Sequence, residues 1–139
     1  PIYFAGSLEC LQGRSIHPDN ELRYLTEGWR SCYEPNEDAS ERVLVIVEGP
    51  FDLWSVSRVH RRVLATLGNV PSQEQLKQIL SNRDDIDTFL IMYDQVALPE
   101  AYALQLVLAP FKSTKVLSID NQKDPGECSK EQIQNILKT

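Results

Sequence analysis

The run Arg42-Val43-Leu44-Val45-Ile46-Val47-Glu48-Gly49-Pro50-Phe51-Asp52 limits the folds open to this chain more than any other segment. Five consecutive apolar, mostly β-branched residues read as a strand buried on both faces, the strand type of parallel sheets. Gly49 lets the chain turn sharply, and Pro50 suits the first turn of a helix. Glu48 therefore stands at the C-terminal tip of a central strand, where open α/β sheets gather their ligands. A carboxylate there, with Asp52 four residues beyond it, points to a divalent cation.

The flanking sequence supports an α/β fold. The acidic, aperiodic stretch from Glu34 to Glu41 reads as a linker, dividing a small N-terminal subdomain (1–33) from the main domain (42–139). Ahead of it, Ile2 to Phe4 and Leu8 to Leu11 read as short strands turning near Gly6, with irregular chain from there to Tyr33. Beyond it, strands are expected at Arg42 to Val47, Val63 to Thr66, Thr88 to Tyr93 and Lys115 to Ile119, alternating with helices. That alternation makes a mostly parallel four-stranded sheet the economical topology. The first helix, about Phe51 to His60, spaces Phe51, Trp54 and Val59 for burial. The second and fourth carry capping boxes, Ser72 with Gln75 and Ser129 with Gln132, ahead of the apolar sets Leu76, Ile79, Leu80 and Ile133, Ile136, Leu137. The third, about Pro99 to Ala109, carries Ala101, Leu104, Val107 and Leu108.

Composition narrows the function. With 139 residues, 42% of them hydrophobic, the chain fills one ordinary domain plus an appendage. No apolar run approaches the roughly 20 residues of a membrane span, and no signal-peptide pattern opens the chain, so a soluble, cytoplasmic protein is expected. Cys10, Cys32 and Cys128 are odd in number and lack metal-ligand spacing, which favours reduced, incidental thiols. The start at Pro1 suggests an excised domain or a processed product. A net charge of −6 argues against strong autonomous DNA binding, since such domains usually carry a basic face. Residues 1 to 42 hold four arginines against eight acids.

In a parallel sheet Glu48, Asp94 and the loop holding Asp120 and Asp124 project from one edge. Mg²⁺ needs only one or two carboxylates beside water and substrate phosphate. Asp52 can equally serve a helix N-terminus, and Asp124-Pro125-Gly126-Glu127 can be a plain turn. Glu48, an acid directly after an apolar run, needs a partner or a function. Arg14 and Arg23 can pair with Glu9, Asp19, Glu21 or Glu27, and Tyr24 and Trp29 can either stack on bases or cover a small sheet. His17 and His60 have no obvious catalytic companion.

The ordered set Val47-Glu48-Gly49-Pro50-Phe51-Asp52, Ala65-Thr66-Leu67-Gly68, Ile91-Met92-Tyr93-Asp94 and Lys123-Asp124-Pro125-Gly126-Glu127 resembles the Toprim domain of bacterial and phage DnaG-type primases. Upstream, Leu11-Gln12-Gly13-Arg14-Ser15 and Leu22-Arg23-Tyr24-Leu25 resemble the subdomain that precedes Toprim in those primases. Recombination mediators, topoisomerases and some nucleases also use Toprim, but the upstream segment favours primase. The resemblance implies that Glu48 takes part in metal-assisted nucleotide transfer, and that Asp52, Asp94 and Asp124 join it in holding Mg²⁺ or Mn²⁺. It further implies that Arg14, Arg23 and Tyr24 contact the DNA template or the incoming nucleoside triphosphate. A zinc-binding module and a replicative helicase are the implied partners, on other chains or on parts of the parent protein outside these residues.

The departures from the family pattern bear on activity. Where the family has Asp-x-Asp followed by glycine, this chain has Asp94-Gln95-Val96 and then Pro99. Valine offers no oxygen to a cation, and Glu100 is four positions further on, on different backbone geometry. Three expectations follow: a primase-type nucleotidyltransferase domain acting in replication, a degenerate Toprim module used for nucleic-acid or replication-protein interaction, or a Toprim nuclease.

Overall fold

A computed structural model describes residues 1–17, 19, 21, 24–28, 30–35, 40–81, 84–119 and 124–138. Strands β1 (Ile2–Phe4), β2 (Ser7–Arg14) and β3 (Tyr24–Gly28) form a small antiparallel sheet in that order. Strands β4 (Val43–Val47), β5 (Val63–Ala65), β6 (Thr88–Met92) and β7 (Ser113–Val116) form a second sheet, ordered β5-β4-β6-β7, in which every pairing is parallel. Helices α1 (Pro50–Val56), α2 (Gln73–Leu80), α3 (Leu98–Leu108) and α4 (Lys130–Ile136) flank it, with short 3-10 turns at Gln95–Ala97 and Pro125–Glu127. No helix among the described residues is long and apolar enough to cross a membrane.

Alternation along the parallel strands explains why both faces are covered. Val45, Val47, Val63, Ala65, Leu90 and Met92 point to one side, against Leu53 and Val56 of α1 and Ile133 of α4. Leu44, Ile46, Leu64, Phe89 and Ile91 point to the other, against Ile79 of α2 and Ala101, Leu104 and Leu108 of α3. The apolar run preceding Glu48 is thus the middle of a two-sided core, as its composition indicates. The capping boxes expected at Ser72 and Ser129 are both formed.

Chain between the two sheets stitches them together. Tyr33 and Ala65 exchange backbone hydrogen bonds of 2.8 Å in an isolated antiparallel bridge beside β5, and Glu34 N–H donates to the Tyr3 carbonyl at 2.9 Å. Gln75, fully buried on α2, donates from Nε2 to the carbonyls of Thr66 (2.5 Å) and Ser31 (3.3 Å) while its Oε1 accepts the Ser72 N–H. The three cysteines are buried thiols, none of them in a disulfide among the described residues.

Several expectations need correction. The stretch read as irregular before Tyr33 contains β3, which pairs with β2 from Cys10↔Gly28 to Arg14↔Tyr24. All five β3 residues are exposed, so no apolar alternation marked it as a strand. The last strand begins at Ser113 instead of Lys115, because β6 fixes its register through Thr88↔Ser113. Leu117 and Ile119 remain in the core beyond the strand's end. Helix α1 ends at Val56 and turns Leu53 and Val56 inward. Phe51 and Trp54, expected in the core, are 48% and 52% exposed.

Candidate functional site

The acidic residues come from three separate segments. Asp52 is the third residue of α1, directly downstream of the β4 tip. Asp94 lies two residues past β6, and its backbone carbonyl accepts the Ala97 N–H that opens the 3-10 turn. Asp124 precedes the turn before α4, and its Oδ1 accepts the Glu127 N–H at 2.8 Å. One oxygen from each of Asp52, Asp94 and Asp124 lies within 4.8 Å of the others. The parallel β4–β6 pairing delivers the first two to one rim, and Pro125–Glu127 packs its turn against α1 to bring the third.

Asp52 serves the helix N-terminus and also reaches the turn before α4. Its Oδ2 accepts the Gly49 N–H at 3.0 Å, satisfying the helix N-terminus, while Oδ1 accepts the Gly126 N–H at 3.0 Å. Asp124 likewise caps its turn and joins the cluster. Glu48 lines the same cleft, outside the tight triad. Asp120 and Lys123 lie outside the described residues.

These acids disfavour one another's charge. Burial, then the charge of Asp94, pushes the Asp52 carboxyl up to about 7, against the lowering effect of the Gly49 N–H; Asp124 adds to the rise and the Gly126 N–H opposes it. Burial raises Asp94, with Asp124 and Glu127 adding to it. Burial raises Glu48 as well, followed by Asp94, Glu100 and Asp124. A close set of oxygen ligands that repel one another is relieved by a divalent cation. The donor set is all hard oxygen, as Mg²⁺ and Mn²⁺ prefer. Asp94 Oδ1 is buried without a hydrogen-bond partner. These residues therefore fit such a cation.

Val96 is 89% exposed and does not line the cleft that holds these acids. Glu100, in the first turn of α3, has a buried Oε2 with no hydrogen-bond partner and lies near enough to Glu48 to raise its pKa.

Across a cleft of about 800 Å³, residues of β2, β3 and the chain after them face the acids. The Arg14 guanidinium lies 5.6 Å from the Tyr24 ring centroid and 5.3 Å from that of Phe51. Arg30 donates to the Leu67 carbonyl at 3.3 Å and presses against Gly68, where an added Cβ would lie 2.7 Å from its Nη2. Arg14 and Tyr24, both expected here from sequence, do line the cleft; Arg23 and Trp29 lie outside the described residues.

Sequence reasoning missed Arg30 and the place of Phe51 in the cleft, and weighed Glu100 only as a distant substitute for the second aspartate. Nothing local marks Arg30, because its position depends on the β5 exit loop 37 residues away. Phe51 was read for burial from its helical spacing with Trp54, but Asp52, Leu53, Ser55 and Val56 already fill the inward face of α1.

No family model matches the chain, and no curated protein does. Solved structures do. The zinc-binding and RNA polymerase domains of Aquifex aeolicus primase match at 22% identity and a TM-score of 0.75, over 96% of this chain and 36% of theirs. The DnaG primase catalytic domain bound to ssDNA matches at 16% identity and a TM-score of 0.71, over 93% and 46%. The primase fragment of the bacteriophage T7 primase-helicase protein matches at 16% identity and a TM-score of 0.67, over 96% and 56%. The chain thus has the Toprim-like fold of DnaG-type primase domains, with the small β-sheet ahead of it included. It spans between about a third and just over half the length of these chains.

Proposed function

We propose that this chain is the nucleotide-handling part of a DnaG-type primase acting in DNA replication, with Mg²⁺ or Mn²⁺ held by Asp52, Asp94 and Asp124. In this reading residues 1–33 form a small subdomain, 34–41 a linker, and 42–139 the Toprim domain. The observation that carries the reading is the convergence of three carboxylates within 4.8 Å, one of them with a buried, unpartnered oxygen.

When bound, the cation neutralises phosphate charge and favours attack on phosphorus. The chain's own residues do the rest. Gly49 and Gly126 hold the Asp52 carboxylate in a fixed orientation through two backbone N–H groups. Glu48 is half-buried with a raised pKa, which suits it to accept the proton of an attacking ribose hydroxyl. Arg14 and Arg30 on the opposite wall offer cations to the phosphates of template or nucleotide.

Template choice and helicase coupling then belong to other modules, consistent with the zinc-binding and helicase parts named in the structural neighbours. A second reading, a module without catalysis, draws on Val96, which supplies no oxygen where the family has an aspartate. The test is calorimetric titration with Mn²⁺ of the wild type, Glu48→Gln and Asp94→Asn, paired with template-dependent ribonucleotide incorporation in the presence of a zinc-binding module and helicase. Tight binding that Asp94→Asn abolishes, with incorporation that Glu48→Gln abolishes, supports the primase reading. Binding without incorporation supports the second.

A further inference from the structure

The exposed ring of Phe51 stands at an unusual place for an apolar group. It is adjacent in sequence to Asp52, lines the same cleft as the acidic triad, and is nearly half exposed. Trp54 meets it edge-on, with centroids 5.2 Å apart and planes at 77°. Trp54 is in turn fixed by an Nε1–H donation of 3.5 Å to the hydroxyl of buried Tyr33. The Phe51 ring is thus braced from one side, while Arg14 approaches it at 5.3 Å from the cleft. Among the described residues Arg14 forms no ion pair; its guanidinium lies over the Tyr24 and Phe51 rings. A positioned ring, a guanidinium that rests on aromatic faces with no carboxylate partner among the described residues, and an acidic triad share one cleft; with Arg14 drawn from the ring onto phosphate, they supply the three contacts a nucleoside triphosphate requires: a stacking face, a phosphate donor and a metal.

We propose that Phe51 is the base-stacking residue for an incoming nucleoside triphosphate, with Arg14 beside it on the phosphates. The proposal rests on the metal and nucleotide reading above and adds to it where the base lies. Stacking has no hydrogen-bond readout, so the contact tolerates all four bases, with purines favoured by their larger π-face.

The test measures equilibrium binding of ATP, of inorganic tripolyphosphate and of a single-stranded oligonucleotide without a triphosphate, to the Mn²⁺-loaded chain. Variants are Phe51→Ala, Phe51→Tyr and Arg14→Gln, with Mn²⁺ affinity measured separately for each. Phe51→Ala is expected to weaken ATP by roughly tenfold or more, the scale of one lost base–aromatic stack, and to leave tripolyphosphate and Mn²⁺ binding unchanged. Phe51→Tyr retains ATP affinity, and Arg14→Gln weakens ATP and tripolyphosphate alike. Unchanged ATP affinity in Phe51→Ala overturns the proposal, as does an equal loss for tripolyphosphate. A loss confined to the oligonucleotide overturns it in favour of a strand-stacking role. Wild-type protein that takes up Mn²⁺ but neither ATP nor tripolyphosphate removes the nucleotide reading itself, and the proposal with it.

Discussion

Gly126 donates its backbone N–H to Asp52 Oδ1 at 3.0 Å, joining the turn before α4 to the first turn of α1 across 74 residues of sequence. The approach is close because Gly126 has no side chain. A Cβ there would lie 3.1 Å from Asp124 Oδ1 and 3.2 Å from Asp52 Oδ1, so two of the three triad carboxylates would have to shift. Gly126→Ala is therefore expected to weaken Mn²⁺ binding by about tenfold or more, the usual scale for disturbing the groups that orient metal ligands. Calorimetry together with thermal melts in chelator checks this. A loss of thermal stability with unaltered Mn²⁺ affinity would contradict it.

Asp94 is a stability cost as long as no cation is bound. Its Oδ1 is buried and unpartnered, and burial with the charges of Asp124 and Glu127 disfavours its ionised form. Asp94→Asn removes that charge, so the metal-free protein should melt at a higher temperature. The same change should abolish Mn²⁺ binding. Thermal melts in chelator and in Mn²⁺ separate the two effects.

The metal-free protein should lose stability as pH rises. Asp52 titrates near 7 in the folded chain against an ordinary carboxylate value of 3.8. The folded state thus binds more protons than the unfolded one between those values, and unfolding free energy falls across that interval. The contribution is complete below about 4 and gone above about 7. Melts in chelator from pH 4 to 8 should show this slope, and saturating Mn²⁺ should flatten or reverse it, because binding requires the deprotonated ligand. A metal-free melting temperature that rises steadily with pH would refute it.

Val96→Asp is expected to change Mn²⁺ affinity by less than about threefold, since side chains that face solvent seldom alter a site they do not reach. The side chain is 89% exposed on the Gln95–Ala97 turn and does not line the cleft. Recovery of strong binding in this variant would mean that the turn reorganises around the cation.

The central strand, its two-sided burial and the positions of Asp52, Asp94 and Asp124 were legible because each follows from a local pattern: an apolar run, a glycine turn, a strand end. Strand β3 was not, because its five residues are all exposed and only pairing with β2 makes them a strand. The reading of Phe51 and Trp54 as core residues failed for a related reason. Their spacing fits a helix stripe, but Asp52, Leu53, Ser55 and Val56 occupy the inward face of α1. Arg30 was invisible because its place in the cleft is set by Leu67 and Gly68, far along the chain.

The bridge between Tyr33 and Ala65 has a consequence for solubility. Strand β5 is an outer strand of the parallel sheet, and Tyr33 takes up hydrogen-bonding groups that would otherwise offer a template to another molecule. A version of the protein beginning at Arg42 would keep the acidic triad yet uncover that apolar edge, and concentration-dependent self-association is the failure to expect from it.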